Sequence, residues 1–300
     1  MTIRSKGPEV GFAWLTHGIR VCFRHPKPLF GGAALLVVAC LLPSLITMPI
    51  QFHAMSGGTP PSLTTNLGIM LGSMLYGLLV VPLYAGYLQV IDAAERGLPA
   101  RALDIFRPYR QGEALRLIGY GLAILVAYVL VFAIIIVATG GHIASWYVQV
   151  LTAQANHLPP PTSLPDGFGI AMALFAVLGL FMIGFYAISL GQVALQRRNV
   201  LGAIGDGVVG ALKNLLPLFV FAVSSVIAGI VVSIGMVIVA LILGLIAKLV
   251  SMWLLFVLIV PLYLGLILML FAMMFSVMYC LWRDVCGGDN VPDMSTAIAA

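Results

Sequence analysis

Residues 17–50 read HGIRVCFRHPKPLFGGAALLVVACLLPSLITMPI, a basic stretch followed from Leu29 by a run without a charged side chain. The run 29–50 exceeds the roughly 20 apolar residues that a helix needs to cross a bilayer core. Arg20, Arg24 and Lys27 precede it, as basic residues do at the cytoplasmic side of a membrane helix. The stretch therefore predicts a membrane span that starts at the cytoplasmic face.

The composition of the 300-residue chain points to the same environment. It is 62% hydrophobic and 8% charged, whereas soluble domains carry roughly 25% charged residues. The net charge of +5 is divided among short segments that flank apolar runs, which favours contact with anionic lipid headgroups over binding of nucleic acid. An ordinary soluble domain is excluded, and membrane lipids are the expected partners.

Fourteen of the fifteen Lys and Arg residues lie in alternate gaps between six apolar runs, and only Lys248 lies on the other side. The positive-inside rule then predicts an all-α integral membrane protein with both termini in the cytoplasm. We expect one transmembrane domain over residues 1–283 and a disordered cytoplasmic tail over 284–300. The six predicted spans are about 29–50, 66–91, 117–139, 168–195, 216–240 and 252–282.

Two loops on the external side complete this topology. A tight turn around Ala247–Ser251 separates the last two spans; a single buried re-entrant element is the alternative interpretation. In the loop 140–167, the apolar residues between Ile143 and Leu151 predict a short helix at the outer interface, with its aromatic side chains at headgroup level.

Each outward span is preceded by a segment with helical periodicity, and we predict an amphipathic helix in the cytoplasmic interface at each place. In the first, an apolar arc includes Val10, Trp14 and Phe23, and the charged residues lie on the opposite side. The second covers Leu103–Leu117 and is bent at Pro108. The third repeats Leu201, Ile204, Val208, Leu212 and Leu215 at spacings of three and four. The expected fold is therefore three helical hairpins, each introduced by an interfacial helix.

Repeated residues support a parallel repeat of the first and third hairpins. Pro28-Leu29-Phe30 and Pro217-Leu218-Phe219 open spans one and five, and a Val-Pro-Leu-Tyr-x-Gly element recurs in spans two and six. A proline and a nearby glycine can kink a membrane helix, so this element either lines a shared cavity or only shapes helix packing. The candidate cavity or kink residues are Pro82, Tyr84, Gly86, Pro261, Tyr263 and Gly265.

The sequence contains no obvious catalytic residues. No Asp, Glu, Lys, Arg or His falls in the middle of a predicted span, and such residues usually mark proton relays or catalytic centres. The four cysteines and five histidines have no metal-ligand spacing, so we expect free thiols, no metal and no cofactor. The expected headgroup contacts are Arg20, Arg24, Lys27, Arg107, Arg110, Arg116, Arg197 and Arg198.

Two terminal stretches, together with the segment Ala203–Asn214, resemble an uncharacterised family of proteobacterial polytopic inner-membrane proteins. Gly11-Phe12-Ala13-Trp14, followed by Phe23-Arg24-His25-Pro26, is similar to the family's Gly-Trp-x-Trp and Phe-Arg-x-Pro elements, with Phe12 where Trp is usual. Trp282-Arg283-Asp284-Val285 is similar to its aromatic-Arg-Asp-hydrophobic element after the last span, and Cys286 stands near where Phe is common. The resemblance implies an address in the inner membrane of a Gram-negative bacterium. The family has no established activity.

These observations favour a non-enzymatic polytopic inner-membrane protein that binds lipid or a membrane partner in envelope function. A passive channel or carrier for a small or amphiphilic solute is the alternative, and a membrane-embedded enzyme ranks third. An apolar lateral groove would favour lipid binding, whereas a polar, water-filled path would favour a carrier. Protein partners and assembly into a homo-oligomer are left open by the sequence.

Overall fold

The computed structural model describes residues 3–55, 63–155, 158–159, 161–250 and 252–287, which form helices joined by short turns, with no strand among them. The long helices are α2 (Pro26–Met55), α3 (Leu63–Glu95), α5 (Ala114–Ala138), α7 (Phe168–Leu195), α9 (Leu215–Val250) and α10 (Met252–Cys286). In the described part of the chain these six are long and apolar enough to cross a membrane. The prediction of an all-α chain with six helices able to cross a membrane is confirmed at this level.

The shorter helices are α1 (Glu9–Arg24), a 3-10 helix (Ala102–Phe106), α4 (Arg107–Arg110), α6 (His142–Ala155) and α8 (Val200–Lys213). All but α6 lie at the end of the bundle where α2, α5 and α9 begin, which we call the closed end. The opposite end, where α6 lies, is the open end. The helix predicted between Ile143 and Leu151 is part of α6.

Three of the long helices begin in the same way at the closed end. Leu29, Leu117 and Leu218 are each the fourth residue of their helix and are fully buried. Their amide groups donate to the carbonyl of the residue just before the helix, at 3.3, 3.2 and 3.0 Å. The packing of α2, α5 and α9 is thus threefold repeated at their starts, although only α2 and α9 carry the preceding proline.

The packed core lies at the closed end. Trp14, Tyr87, Ile91, Leu190 and Phe275 are fully or almost fully buried there, whereas the apolar side chains toward the open end of α9 and α10 are mostly exposed. Side chains exposed in this way have hydrocarbon as their solvent in a membrane. The bundle is therefore tightly packed at one end and loosely packed at the other.

Helix α1 packs on protein along its apolar arc. Trp14, Gly18 and Cys22 face α9 and α10, while Phe12 and Phe23 are 56% and 55% exposed. A Cβ atom at Gly11 would lie 2.1 Å from the carbonyl oxygen of Pro217 on α9. Only glycine allows this approach, so α1 is fixed against the start of α9.

The second predicted amphipathic helix, Leu103–Leu117, is wrong as a single helix bent at Pro108. The chain forms the 3-10 helix, the single turn α4 and a turn at Gly112 (φ 74°) before α5 starts at Ala114. Side chains three residues apart eclipse in a 3-10 helix, so Ile105 is fully buried and Leu103 is 58% exposed. The error came from assuming a period of 3.6 residues.

Two further features differ from the sequence-based expectation: the position at which α10 ends, and the residues through which α8 packs on α7. Helix α10 continues through Asp284, Val285 and Cys286, all buried, and so enters the predicted tail; residues 288–300 of that tail lie outside the described residues. Helix α8 packs on α7 through Ala203, Gly207, Gly210 and Ala211. Its small residues make this contact, while Leu201 and Leu212 are exposed.

Candidate functional site

A cavity of about 1100 Å³ separates α5 and α7 from α9 and α10. Phe175 and Ile183 of α7 and Tyr263 of α10 line it and remain 58%, 45% and 59% exposed. Leu15 of α1 lines it near the closed end. The volume is slightly above the roughly 300–1,000 Å³ of small-molecule sites, and the cavity is half open to the surface of the bundle.

The lining is apolar. Among the described residues that line the cavity there is no Asp, Glu, Lys, Arg or His, and the polar groups are the hydroxyls of Tyr128, Tyr186, Tyr263, Ser225 and Ser233. The Ser225 hydroxyl is buried without a hydrogen-bond partner in the described structure. Such a surface suits hydrocarbon, and it offers no compensation for a charged solute.

Methionine is the most adaptable part of this lining. Met182, Met236, Met273, Met274 and Met278 all contribute to it. Their unbranched, polarisable side chains fill irregular gaps and suit surfaces that adapt to different apolar ligands. The walls can therefore adjust to chains of different length or saturation.

The cavity is nearly as tall as the bilayer core. On α10 its lining runs from Tyr263 to Leu281, which corresponds to about 27 Å at 1.5 Å per residue. The hydrocarbon core of a bilayer is about 30 Å thick. An extended acyl chain can therefore lie along the bundle axis within it.

A cluster of charges closes the bundle beside this cavity. The side chain of Glu95, at the end of α3, is 8% exposed and lies 3.7 Å from Arg24, 3.4 Å from His25 and 3.6 Å from Arg283. Arg283 also stacks on the ring of Tyr279, 5.4 Å from its centroid. One buried carboxylate thus ties the α1–α2 junction to the ends of α3 and α10.

Neighbouring hydrogen bonds extend this connection. The Trp14 indole donates to Asp284 at 3.0 Å, and the Tyr279 hydroxyl donates to Asp92 at 3.1 Å. Burial raises the pKa of the Cys22 thiol in α1 to about 11, so this thiol is protonated at neutral pH. These side chains of the closed end are therefore engaged with one another, whereas the Trp282 indole N–H is buried without a hydrogen-bond partner in the described structure.

The first set of predicted cavity residues lies away from the cavity. Pro82 and Gly86 are buried in α3, and a Cβ at Gly86 would lie 2.0 Å from the Ile105 carbonyl oxygen. The Tyr84 hydroxyl lies 3.5 Å from the Cys40 sulfur, and its ring packs on Phe275 at 5.5 Å. These residues hold the 3-10 helix and α2 against α3.

The second set lies on the outer part of α10. Pro261, Tyr263 and Gly265 are exposed, and only Tyr263 lines the cavity. Pro82 is 13 residues from the end of α3 and Pro261 is 25 from the end of α10, or about 20 and 37 Å along their helices. The described lining includes Tyr263 but not Tyr84, so the structure does not bring the two tyrosines to one cavity wall.

The predicted headgroup residues divide into two groups. Arg24, Arg116, Arg197 and Arg198 form ion pairs with Glu95, Glu113 or Asp206, and Arg110 donates to the Leu103 carbonyl at 2.9 Å. Arg20, Lys27 and Arg107 are exposed, and the described structure shows no ion pair for them. These three are the cations most available to a ligand.

Sequence reasoning did not find the cavity. Its walls come from α5, α7, α9 and α10, with Leu15 of α1 near the closed end, and each wall residue alone is typical of a lipid-facing position. The clustering of methionines in the last span was the one available signal, since Met269, Met273, Met274 and Met278 fall within three turns. Helix α7 also contributes Tyr186 to the lining.

Comparisons with known proteins do not narrow the assignment. No protein-family model matches the chain, and neither a curated protein nor a solved structure matches it. The cavity, the closed end and the distribution of charge are therefore the features that bear on function.

Proposed function

We propose that this chain is a non-enzymatic, polytopic protein of the bacterial inner membrane that binds membrane lipid by its acyl chains. The apolar cavity between α5, α7, α9 and α10 is the observation that carries the proposal. Lipid tails are as apolar as its walls, so binding draws on van der Waals packing in a shaped space rather than on the hydrophobic effect.

The size of the cavity argues that it is filled in the membrane. A void of this volume would leave many lining atoms without van der Waals partners, and because the cavity opens to the surface of the bundle, molecules of the surrounding membrane can enter it. The lining has too few polar groups to hold a cluster of water. Hydrocarbon is the remaining filler with the right chemistry.

The proposed architecture is three hairpins, α2–α3, α5–α7 and α9–α10, with the closed end and both termini in the cytoplasm. Each hairpin follows an interfacial segment: α1, the 3-10 helix with α4, or α8. The repeated burial of Leu29, Leu117 and Leu218 supports this division. The basic residues near the closed end support the orientation, and the resemblance to the proteobacterial family supports the inner-membrane address.

Filling the cavity with protein tests the proposed binding. Gly179 on α7 and Gly229 on α9 line the cavity, and a Cβ at either would meet nothing within 4 Å. We expect the Gly179→Trp/Gly229→Trp variant to retain about tenfold less co-purified phospholipid, equivalent to about 1.4 kcal/mol. Native mass spectrometry of protein released from detergent measures the retained lipid.

The matched control is Gly169→Trp/Gly235→Trp, on the same two helices. Both glycines have open space around a Cβ and lie outside the cavity lining. The control is expected to retain lipid as the unaltered protein does. Equal retention by all three proteins would show that lipid does not occupy the cavity.

The runner-up function is a passive carrier of an amphiphilic solute, and the height of the cavity along α10 favours it. A carrier should accelerate movement of a fluorescent phospholipid between the leaflets of proteoliposomes, and the paired tryptophans should block that movement. A protein that only binds lipid would retain the lipid without accelerating its movement between the leaflets.

A further inference from the structure

The segment Arg101–Arg110, which we call the triplet segment, repeats its chemistry every three residues. Its inner edge is Ala102, Ile105 and Pro108, of which Ala102 is half-buried, Pro108 is buried and Ile105 is fully buried. A Cβ at Gly31 of α2 would lie 2.8 Å from the Ala102 Cβ, and Gly86 of α3 approaches the Ile105 carbonyl. The segment therefore packs closely on α2 and α3, and its other two edges face away from these helices.

The charged edge carries Arg101, Asp104, Arg107 and Arg110. Arg101 is the N-cap residue of the 3-10 helix Ala102–Phe106, and Arg107 follows that helix directly as the first residue of α4. The Asp104 carboxylate accepts from the Arg101 amide at 2.8 Å. Arg101 and Arg107 are exposed, and the described residues provide no ion pair for either. Two exposed arginine side chains therefore flank the 3-10 helix.

Lys27 adds a third cation beside this segment. It lies one turn before Gly31 on α2, and side chains four residues apart share a helix face. Because Gly31 contacts Ala102, Lys27 lies beside the start of the triplet segment at Arg101. Lys27 is exposed and, in the described part of the chain, has no ion pair. Four cations and one carboxylate give this surface a net charge of +3.

The third edge is apolar and continues onto α3. Leu103 and Tyr109 are 58% and 40% exposed, with Phe106 between them. The Tyr109 hydroxyl donates to the carbonyl of Leu79, whose own side chain is 51% exposed. Exposed cations beside exposed apolar side chains can bind the phosphate and the acyl chain of one lipid.

We propose that the triplet segment is a binding site for an anionic phospholipid of the cytoplasmic leaflet. Arg101 and Arg107 bind the phosphate through charge-assisted hydrogen bonds, which planar guanidinium groups make in pairs, and Lys27 adds attraction. One acyl chain lies along Leu103 and Tyr109 toward Leu79. The site is separate from the cavity, because the cavity walls are α5, α7, α9 and α10.

Selective binding of lipid headgroups tests this site. Purified full-length protein in detergent is titrated with phosphatidylglycerol or with phosphatidylcholine, and native mass spectrometry counts the bound lipid. The protein should bind phosphatidylglycerol more tightly. The Arg101→Gln/Arg107→Gln variant should lose about 30-fold in that affinity, which corresponds to about 1 kcal/mol for each cation near the headgroups.

The matched control is Arg96→Gln/Lys213→Gln, which removes two exposed cations from the same end of the bundle. It should change the affinity by less than about threefold, since neither residue lies on the triplet segment and exposed charges elsewhere contribute little. An equal loss in both variants would mean general charge attraction and overturn the proposal. So would displacement of phosphatidylglycerol by inorganic phosphate at equal concentration. Retention of lipid by the cavity is scored separately, with the Gly179 and Gly229 variants.

Discussion

Replacing Glu95 with glutamine is expected to lower the free energy of unfolding by about 3 kcal/mol, the lower end of the range for breaking a buried ion pair. The Glu95 carboxylate faces Arg24, His25 and Arg283, and the Arg283 side chain is only 15% exposed. Glutamine keeps the size and removes the charge. Arg283 keeps its stacking on Tyr279, which is why we expect the lower end.

Tryptophan fluorescence during unfolding in SDS measures this effect. Trp14 and Trp282 are 0% and 4% exposed at the closed end, so a red shift of their emission reports its opening. Replacing Trp146 and Trp253 with phenylalanine removes the other two tryptophans. The measured quantity is the SDS fraction at which half of the protein is unfolded.

Two controls separate the buried pair from surface charge. Arg24 is 56% exposed in its side chain, so Arg24→Gln should cost no more than about 1 kcal/mol. Glu9 is exposed at the start of α1, and Glu9→Gln should change stability by less than about 0.5 kcal/mol. If Glu95→Gln unfolds at the same SDS fraction as Glu9→Gln, the Glu95 cluster does not hold the closed end together.

Gly86→Ala and Gly265→Ala are expected to change stability in opposite directions, although both glycines close the same repeated sequence element. A Cβ at Gly86 would lie 2.0 Å from the Ile105 carbonyl oxygen, which is backbone and cannot rotate away. The 3-10 helix must move off α3, and overpacking of this kind costs about 1–3 kcal/mol. We expect a loss of about 2 kcal/mol for Gly86→Ala.

At Gly265 a Cβ would meet nothing within 4 Å. Alanine is the better helix former by about 0.5–1 kcal/mol, so Gly265→Ala should stabilise α10 by roughly that amount. SDS unfolding of the two variants provides the comparison. A change of the same sign in both would mean that the two elements have the same role after all.

The spans were predictable because hydrophobic length and charge placement are local properties of a sequence. Each of the six runs contains enough apolar residues by itself, and Lys248 alone departs from the charge pattern. The start of α9 was also visible, since Pro217-Leu218 copies Pro28-Leu29. Leu117 has the same position in α5, but no proline precedes it. Its place in the repeat could therefore be recognised only after the start of α5 was known.

The site was not predictable because it depends on distances between helices. The element at Pro82 and Tyr84 looked like that at Pro261 and Tyr263, yet one packs at the closed end and the other lies exposed toward the open end. The same apolar sequence element can lie at different depths in a helix bundle, so the element alone does not predict its position. The triplet segment shows the same limit, because its period of three became readable only once the backbone was known.

Photocrosslinking from inside the cavity tests the central claim most directly. The photoreactive amino acid p-benzoylphenylalanine is placed at Ile183, which lines the cavity, or at Val177, which lies outside the lining on the same helix and is 63% exposed. After purification in detergent and irradiation, mass spectrometry identifies the adducts. We predict a phospholipid adduct at position 183 and only detergent at position 177. Detergent alone at both positions would contradict lipid binding in the cavity.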